Sequence, residues 1–168
     1  MTISMYQASV PVFVRALTNL SHVLKKGEAH AKDKGVEPDN LLQQRLIFDM
    51  FPLVKQIQIA CDAAARGAAR LAGAEPQAFP DTETTLAQAI DRIERAVTYI
   101  KSFKPAQIDG SEERRVRVKT REGEVEMSGL EYLQHVAIPN MFFHCTTAYD
   151  ILRVAGTQIG KKDFLGDR

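Results

Sequence analysis

Asn140 and His144 stand four residues apart, so on a helix their side chains lie on one face. An imidazole can take a proton near neutral pH or ligate a divalent metal, and a neighbouring amide can orient a substrate or a water. From Tyr132 to Tyr149 there is no Asp, Glu, Lys or Arg, so a helix here is apolar on most sides and is expected to be buried on most sides. A buried polar group without a partner costs about 1–3 kcal/mol. The pair is therefore either a hydrogen-bonded core feature or the wall of a site between helices. An intact His-x-x-x-His would be a stronger signal for zinc or nickel, and Asn is a poor substitute for the first imidazole.

Asp49 and Gln56 form a second group. Seven residues apart, they are expected to share a face of the second helix, where Asp49 would supply a carboxylate to a site shared with His144. The plainer reading makes Asp49 a cap where Pro52 interrupts that helix. The other histidines read as surface: His30 lies in a Lys/Glu-rich helix end, His22 borders an apolar stripe, and His135 is half a turn out of phase with His144. Cys61 and Cys145 fall on apolar helix faces, where a thiol behaves as a small inert hydrophobe. The segment Gly156–Lys162 has a superficial P-loop look, but its glycine spacing is one short and no Ser or Thr follows the lysine.

The elements that must position these groups read as four helices and one hairpin. Phe13, Leu17, Leu20 and Leu24 mark a first helix, with Pro11 either in its first turn or inside a longer helix begun near Ser4, and Gly35 just past its end. A second helix is expected over roughly Leu41 to Leu71, broken or kinked near Asp49, with Ile47, Phe51, Val54, Ile57, Cys61 and Ala65 on its apolar face. Leu86, Ile90, Ile93, Val97 and Ile100 repeat at four-three spacing for a third, capped by Asp81 or Thr82, with Asp91, Arg92, Glu94 and Arg95 on its other side. A fourth runs from Gly129 to Gly156 and bends at Pro139.

Before the fourth helix, residues 115–119 and 124–127 alternate with period two. Pairing Val118 with Val125 sets Val116 against Met127, Arg117 against Glu126 and Lys119 against Glu124, with the loop Thr120-Arg121-Glu122-Gly123 between them. One face is then apolar and should lie on the helices. The fold class is all-α: a single domain, residues 1–168, forming a four-helix bundle with a β-hairpin inserted between helices three and four.

Net charge +1, 45% hydrophobic and 26% charged residues describe an ordinary globular chain. They supply no concentrated basic face for nucleic acid or a membrane surface. The polar residues between Tyr132 and Tyr149 argue against a lipid-exposed span. No signal peptide is expected, and two cysteines make no disulfide framework, so the default is a reduced cytoplasmic protein.

The run His144-Cys145-Thr146-Thr147-Ala148-Tyr149-Asp150-Ile151-Leu152-Arg153 and its end at Gly156 resemble the last helix of the DinB-like bundle superfamily. Asp49-Met50-Phe51-Pro52-Leu53, Gln58-Ile59-Ala60-Cys61-Asp62 and Gly160 to Gly166 are similar to one bacterial domain-of-unknown-function branch of it, across essentially the whole chain. The resemblance implies a four-helix bundle, often dimeric. In its metal-binding members one His of helix two and two of helix four hold a divalent ion, and some are thiol-dependent transferases or isomerases. By position His144 matches the second helix-four ligand, Asn140 stands where the first would be, and no His lies between Leu41 and Leu71. The expectation is a homodimer with a degenerate metal site and no cofactor, binding a small ligand in the bundle core through Asn140, His144, Asp49 and Gln56. The alternative is a zinc- or nickel-dependent hydrolase or thiol transferase using His144.

Overall fold

The computed structural model describes residues 2–120 and 123–166. Helix α1 (Met5–Asp33) begins at Ser4, whose hydroxyl accepts from the Gln7 N–H while Gln7 Oε1 accepts from the Ser4 N–H. Pro11 lies inside α1, and Gly35 takes a positive φ of 66° just beyond its end.

Helix α2 (Leu53–Leu71) is shorter than its apolar pattern suggested. Pro38–Gln43 form a 3₁₀ turn, residues 44–52 are irregular, and α2 starts only after Pro52. Proline restricts the residue before it and gives no N–H to a preceding turn, so the helix begins there rather than bending through it. Ile47 and Phe51, expected on the apolar face, are consequently more than half exposed.

Helix α3 (Leu86–Ser102) is capped by Thr85, not by Asp81 or Thr82. The Thr85 hydroxyl accepts from the Gln88 N–H, and Gln88 Oε1 accepts from the Thr85 N–H. A short α4 (Pro105–Ile108) follows. Strands β1 (Arg115–Thr120) and β2 (Gly123–Ser128) pair antiparallel in the expected register, Val118 with Val125. Arg121 and Glu122 of the expected loop lie outside the described residues. The apolar face covers less than expected: Val116 is buried and Val118 and Met127 are half-buried, but Val125 is exposed.

Helices α5 (Gly129–Tyr132) and α6 (Ile138–Val154) are joined by a π turn over Leu133–Ala137. Pro139 has no N–H to return to the preceding turn, and the wider π turn takes up the misfit where a simple bend was expected. Gly129 is required there, because a Cβ would stand 2.1 Å from the Ser111 carbonyl oxygen. A last short helix, α7 (Lys161–Leu165), lies on α1. There Asp163 accepts from Lys26 and from the Gly160 N–H.

The four long helices form a square in which α1 and α2 each pack beside α3 and α6. Chain-consecutive α1 and α2 are thus diagonal, as are α3 and α6, so both connections must cross an end of the bundle. These are the two long connections, and the hairpin occupies the second. Gln56 meets His144 while Arg70 meets Tyr132, so α2 and α6 run antiparallel. Phe13, Leu17, Ile57, Leu71, Ile93 and Met141 belong to one continuous core. Among the described residues no helix is long and apolar enough to cross a membrane.

Arg92, expected on the outer side of α3, is fully buried. Its Nη2 donates to Asp62 at 2.8 Å and approaches Asp81 at 3.0 Å; its Nη1 donates to Glu83 at 3.0 Å. The carbonyls of Phe79 and Pro80 accept two more bonds. Gln58 donates to Glu83, and Lys55 reaches Asp81 at 2.5 Å. Burial opposes charge on these groups, but hydrogen bonds and cations outweigh it and hold the Glu83 and Asp81 carboxyls below their ordinary range. Removing one partner of a buried ion pair strands the other charge. Arg92→Met should therefore lower the urea-unfolding free energy by about 3–5 kcal/mol. A loss below about 1 kcal/mol, the range of surface pairs, would contradict this account of the network.

Candidate functional site

Two of the four residues singled out in the sequence meet. Gln56 on α2 and His144 on α6 are both buried, with His144 Nδ1 2.6 Å from Gln56 Oε1. The Gln56 amide donates through Nε2 to the Phe51 carbonyl at 3.0 Å, so Oε1 is the end that faces the imidazole. His144 must then donate from Nδ1, and its lone pair lies on Nε2. Burial lowers the His144 pKa and keeps the ring neutral. The Phe143 ring stands edge-on to it, 5.1 Å between centroids.

Asn140 and Asp49 do not join this pair. Asn140 is exposed, one turn back along α6, and lines a surface groove. Asp49 is exposed in the turn before Pro52, outside α2, and serves neither as a cap of that helix nor as a partner of Gln56. A donating Nδ1–H with a free Nε2 is how proteins orient a metal-bound imidazole. The rest of such a site is not assembled: among the described residues no three His, Cys, Asp or Glu side chains converge to hold a metal ion. The side chains that the DinB-like pattern would recruit do not fit a divalent ion here. Both cysteines are free and buried, and burial pushes the Cys145 thiol up to about 12.

The groove beside Asn140 has a volume of about 880 Å³, within the range of small-molecule sites. Its floor is a stripe of α2 at helical spacing: Lys55, Ile59, Asp62, Arg66 and Arg70. Tyr132, Val136 and Asn140 form one wall, the loop from Ala74 to Asp81 another, and Arg117, Val118, Lys119 and Glu124 of the hairpin overhang it. Arg66 pairs with Asp62 at 2.8 Å. Arg70 donates to the Tyr132 hydroxyl at 3.2 Å and lies over its ring. Nothing in the sequence singles out this stripe, because charged residues at helical spacing ordinarily mark solvated surface. A smaller apolar cavity of about 160 Å³ lies between α1, α6 and α7, lined by Ala16, Leu20, Phe142, Cys145 and Phe164 among others.

The family described as Domain of unknown function (DUF1993) matches residues 5–165. The chain belongs to the DUF1993 family. The crystal structure of a DinB family member protein from Shewanella denitrificans is 40% identical to it, with a TM-score of 0.89 over 97% of this chain and 92% of that one. The expected DinB-like bundle, with its hairpin before the last long helix, is therefore the fold of this DUF1993 chain. No curated protein matches it.

The neutral His144 makes a definite prediction about pH. Its folded pKa lies below the ordinary 6.5, so its contribution to stability is present above that value and is lost as pH falls. The stability difference between wild type and His144→Leu should shrink as pH drops from about 7 to about 5, followed by chemical denaturation. A difference that does not change with pH would contradict a buried neutral imidazole.

Proposed function

We propose that this DUF1993 protein binds a small polar molecule in the groove over α2, and that metal chemistry of the DinB-like kind is not its activity. The observation that carries the reading is the division of the two helix-four positions. Asn140, where the family resemblance puts the first imidazole, faces the groove. His144, at the second, is turned inward to Gln56 and is only 8% exposed. A ligand in the bundle core is the less favourable placement. The cavity of about 160 Å³ beside the core holds a benzene-sized group, whereas small-molecule sites span about 300–1,000 Å³.

A thermal-shift screen of small polar compounds tests this. A compound at about 100 times its Kd should raise Tm by about 5–10 °C. Asn140→Trp and Ile59→Trp should abolish the shift by filling the groove, and the distant exposed control Val154→Ser should keep it. A shift that survives both tryptophans, or is lost only in His144→Ala, would sink the groove reading.

One observation favours a second reading, a hydrolase or thiol transferase using His144. Gln56 fixes the tautomer that leaves the Nε2 lone pair open, as a general base requires. Turnover abolished by His144→Gln in an activity screen would put this reading first.

Assembly as a homodimer belongs to the proposal, supported by the exposed Phe48, Phe51 and Phe143, apolar surface of the kind that interfaces cover. Light scattering should give twice the chain mass. A monomer mass that is independent of concentration would exclude the dimer.

A further inference from the structure

We infer that Arg70 and Tyr132 form an anion-recognising end of this groove, so that its ligand carries a carboxylate or phosphate group. The inference rests on the groove reading and narrows it. It starts from an imbalance among the cations that line the groove. Lys55 is paired with Asp81 at 2.5 Å, Arg66 with Asp62 at 2.8 Å and Arg117 with Glu126 at 3.1 Å. Two others have no ion pair among the described residues: Lys119, exposed on the hairpin, and Arg70, which is half-buried and whose one hydrogen bond goes to the Tyr132 phenol.

That arginine is nevertheless held in place. It is half-buried in the last turn of α2, and its guanidinium carbon lies 5.5 Å from the centroid of the Tyr132 ring. Tyr132 is itself only 2% exposed, so the platform is fixed by the core. The carbonyl end of α2 favours a positive charge at this position but accepts none of the Arg70 N–H groups. Of five guanidinium donors one is used, and the planar fork suits two oxygens of a carboxylate or phosphate. The Tyr132 oxygen accepts from Arg70 and keeps its own proton to donate. A cation and a phenol O–H thus stand at one end of the groove. Asn140 offers an amide eight residues further along the same helical run, about 10–12 Å away. The fitting ligand is a small molecule with an anion at one end and a hydrogen-bonding group near the other.

The test is a titration of the ¹⁵N-labelled full chain with inorganic phosphate and, separately, with acetate, at constant ionic strength. The backbone amides of Leu71 and Ala72 should shift saturably with at least one of them. Arg70→Gln should weaken that binding about tenfold or more, and Tyr132→Phe by a smaller factor. Arg70→Lys keeps the charge and loses the fork, so it should fall between wild type and Arg70→Gln. It also serves if the glutamine variant does not fold. A response to phosphate alone assigns a phosphate ester, and a response to acetate alone a carboxylate. No saturable shift with either, or equal affinity in Arg70→Gln, overturns the anion site. If a neutral compound still shifts the amides of Ile59 and Asn140, the groove reading stands and this one alone has failed; if nothing does, both fail.

Discussion

A guanidinium sealed between α2, α3 and the loop joining them decides the shape of one whole side of this molecule. Arg92 cannot be buried without partners, since an isolated charge in the interior costs several kcal/mol. It takes them from three places: Asp62 on α2, Asp81 and Glu83 on the loop, and the loop's own carbonyls. The loop is thereby fastened back along α2 and against the first turns of α3. Asp62 and Asp81 also line the groove, so the contacts that pair the Arg92 terminal nitrogens also hold part of the candidate site's lining.

The bundle's diagonal connections explain the other walls. Because α3 and α6 are not neighbours, the chain must travel across the bundle between them, and the hairpin is built into that journey. It ends where Gly129 packs closely on the Ser111 carbonyl, and Arg117, Val118, Lys119 and Glu124 of the hairpin line the groove together with α2. The π turn then rotates the helix that carries Tyr132, Val136 and Asn140 along the groove before α6 buries His144. π turns concentrate at functional sites in helices, because they re-aim side chains that a regular helix would fix.

Much of this was legible in the residues. The period-two alternation around Val118 and Val125 gave the hairpin register, since a slip of one residue would turn its apolar face outward. The four-three spacing from Leu86 to Ile100 gave α3, and Gln56 and His144, both picked out from sequence, are in contact. What escaped depends on distant partners. Arg92 sits among Asp91, Glu94 and Arg95 and reads as surface, because nothing local says that Asp62 and Glu83 will surround it. Arg70 and Tyr132 are 62 positions apart in the chain. The apolar pattern runs on through Pro52, but the break expected near Asp49 is complete: the helix starts afresh after Pro52 and leaves Asp49 outside it.

The bundle has the DinB-like scaffold, and the proposed function puts its binding chemistry in the polar groove rather than at a metal triad. Metal content is the direct test, measured by mass spectrometry on untagged protein purified without chelator and again after titration with zinc and nickel. The account predicts far less than one metal per chain and no saturable uptake. Near-stoichiometric zinc or nickel, lost in His144→Ala, would contradict it and return the chemistry to the imidazole.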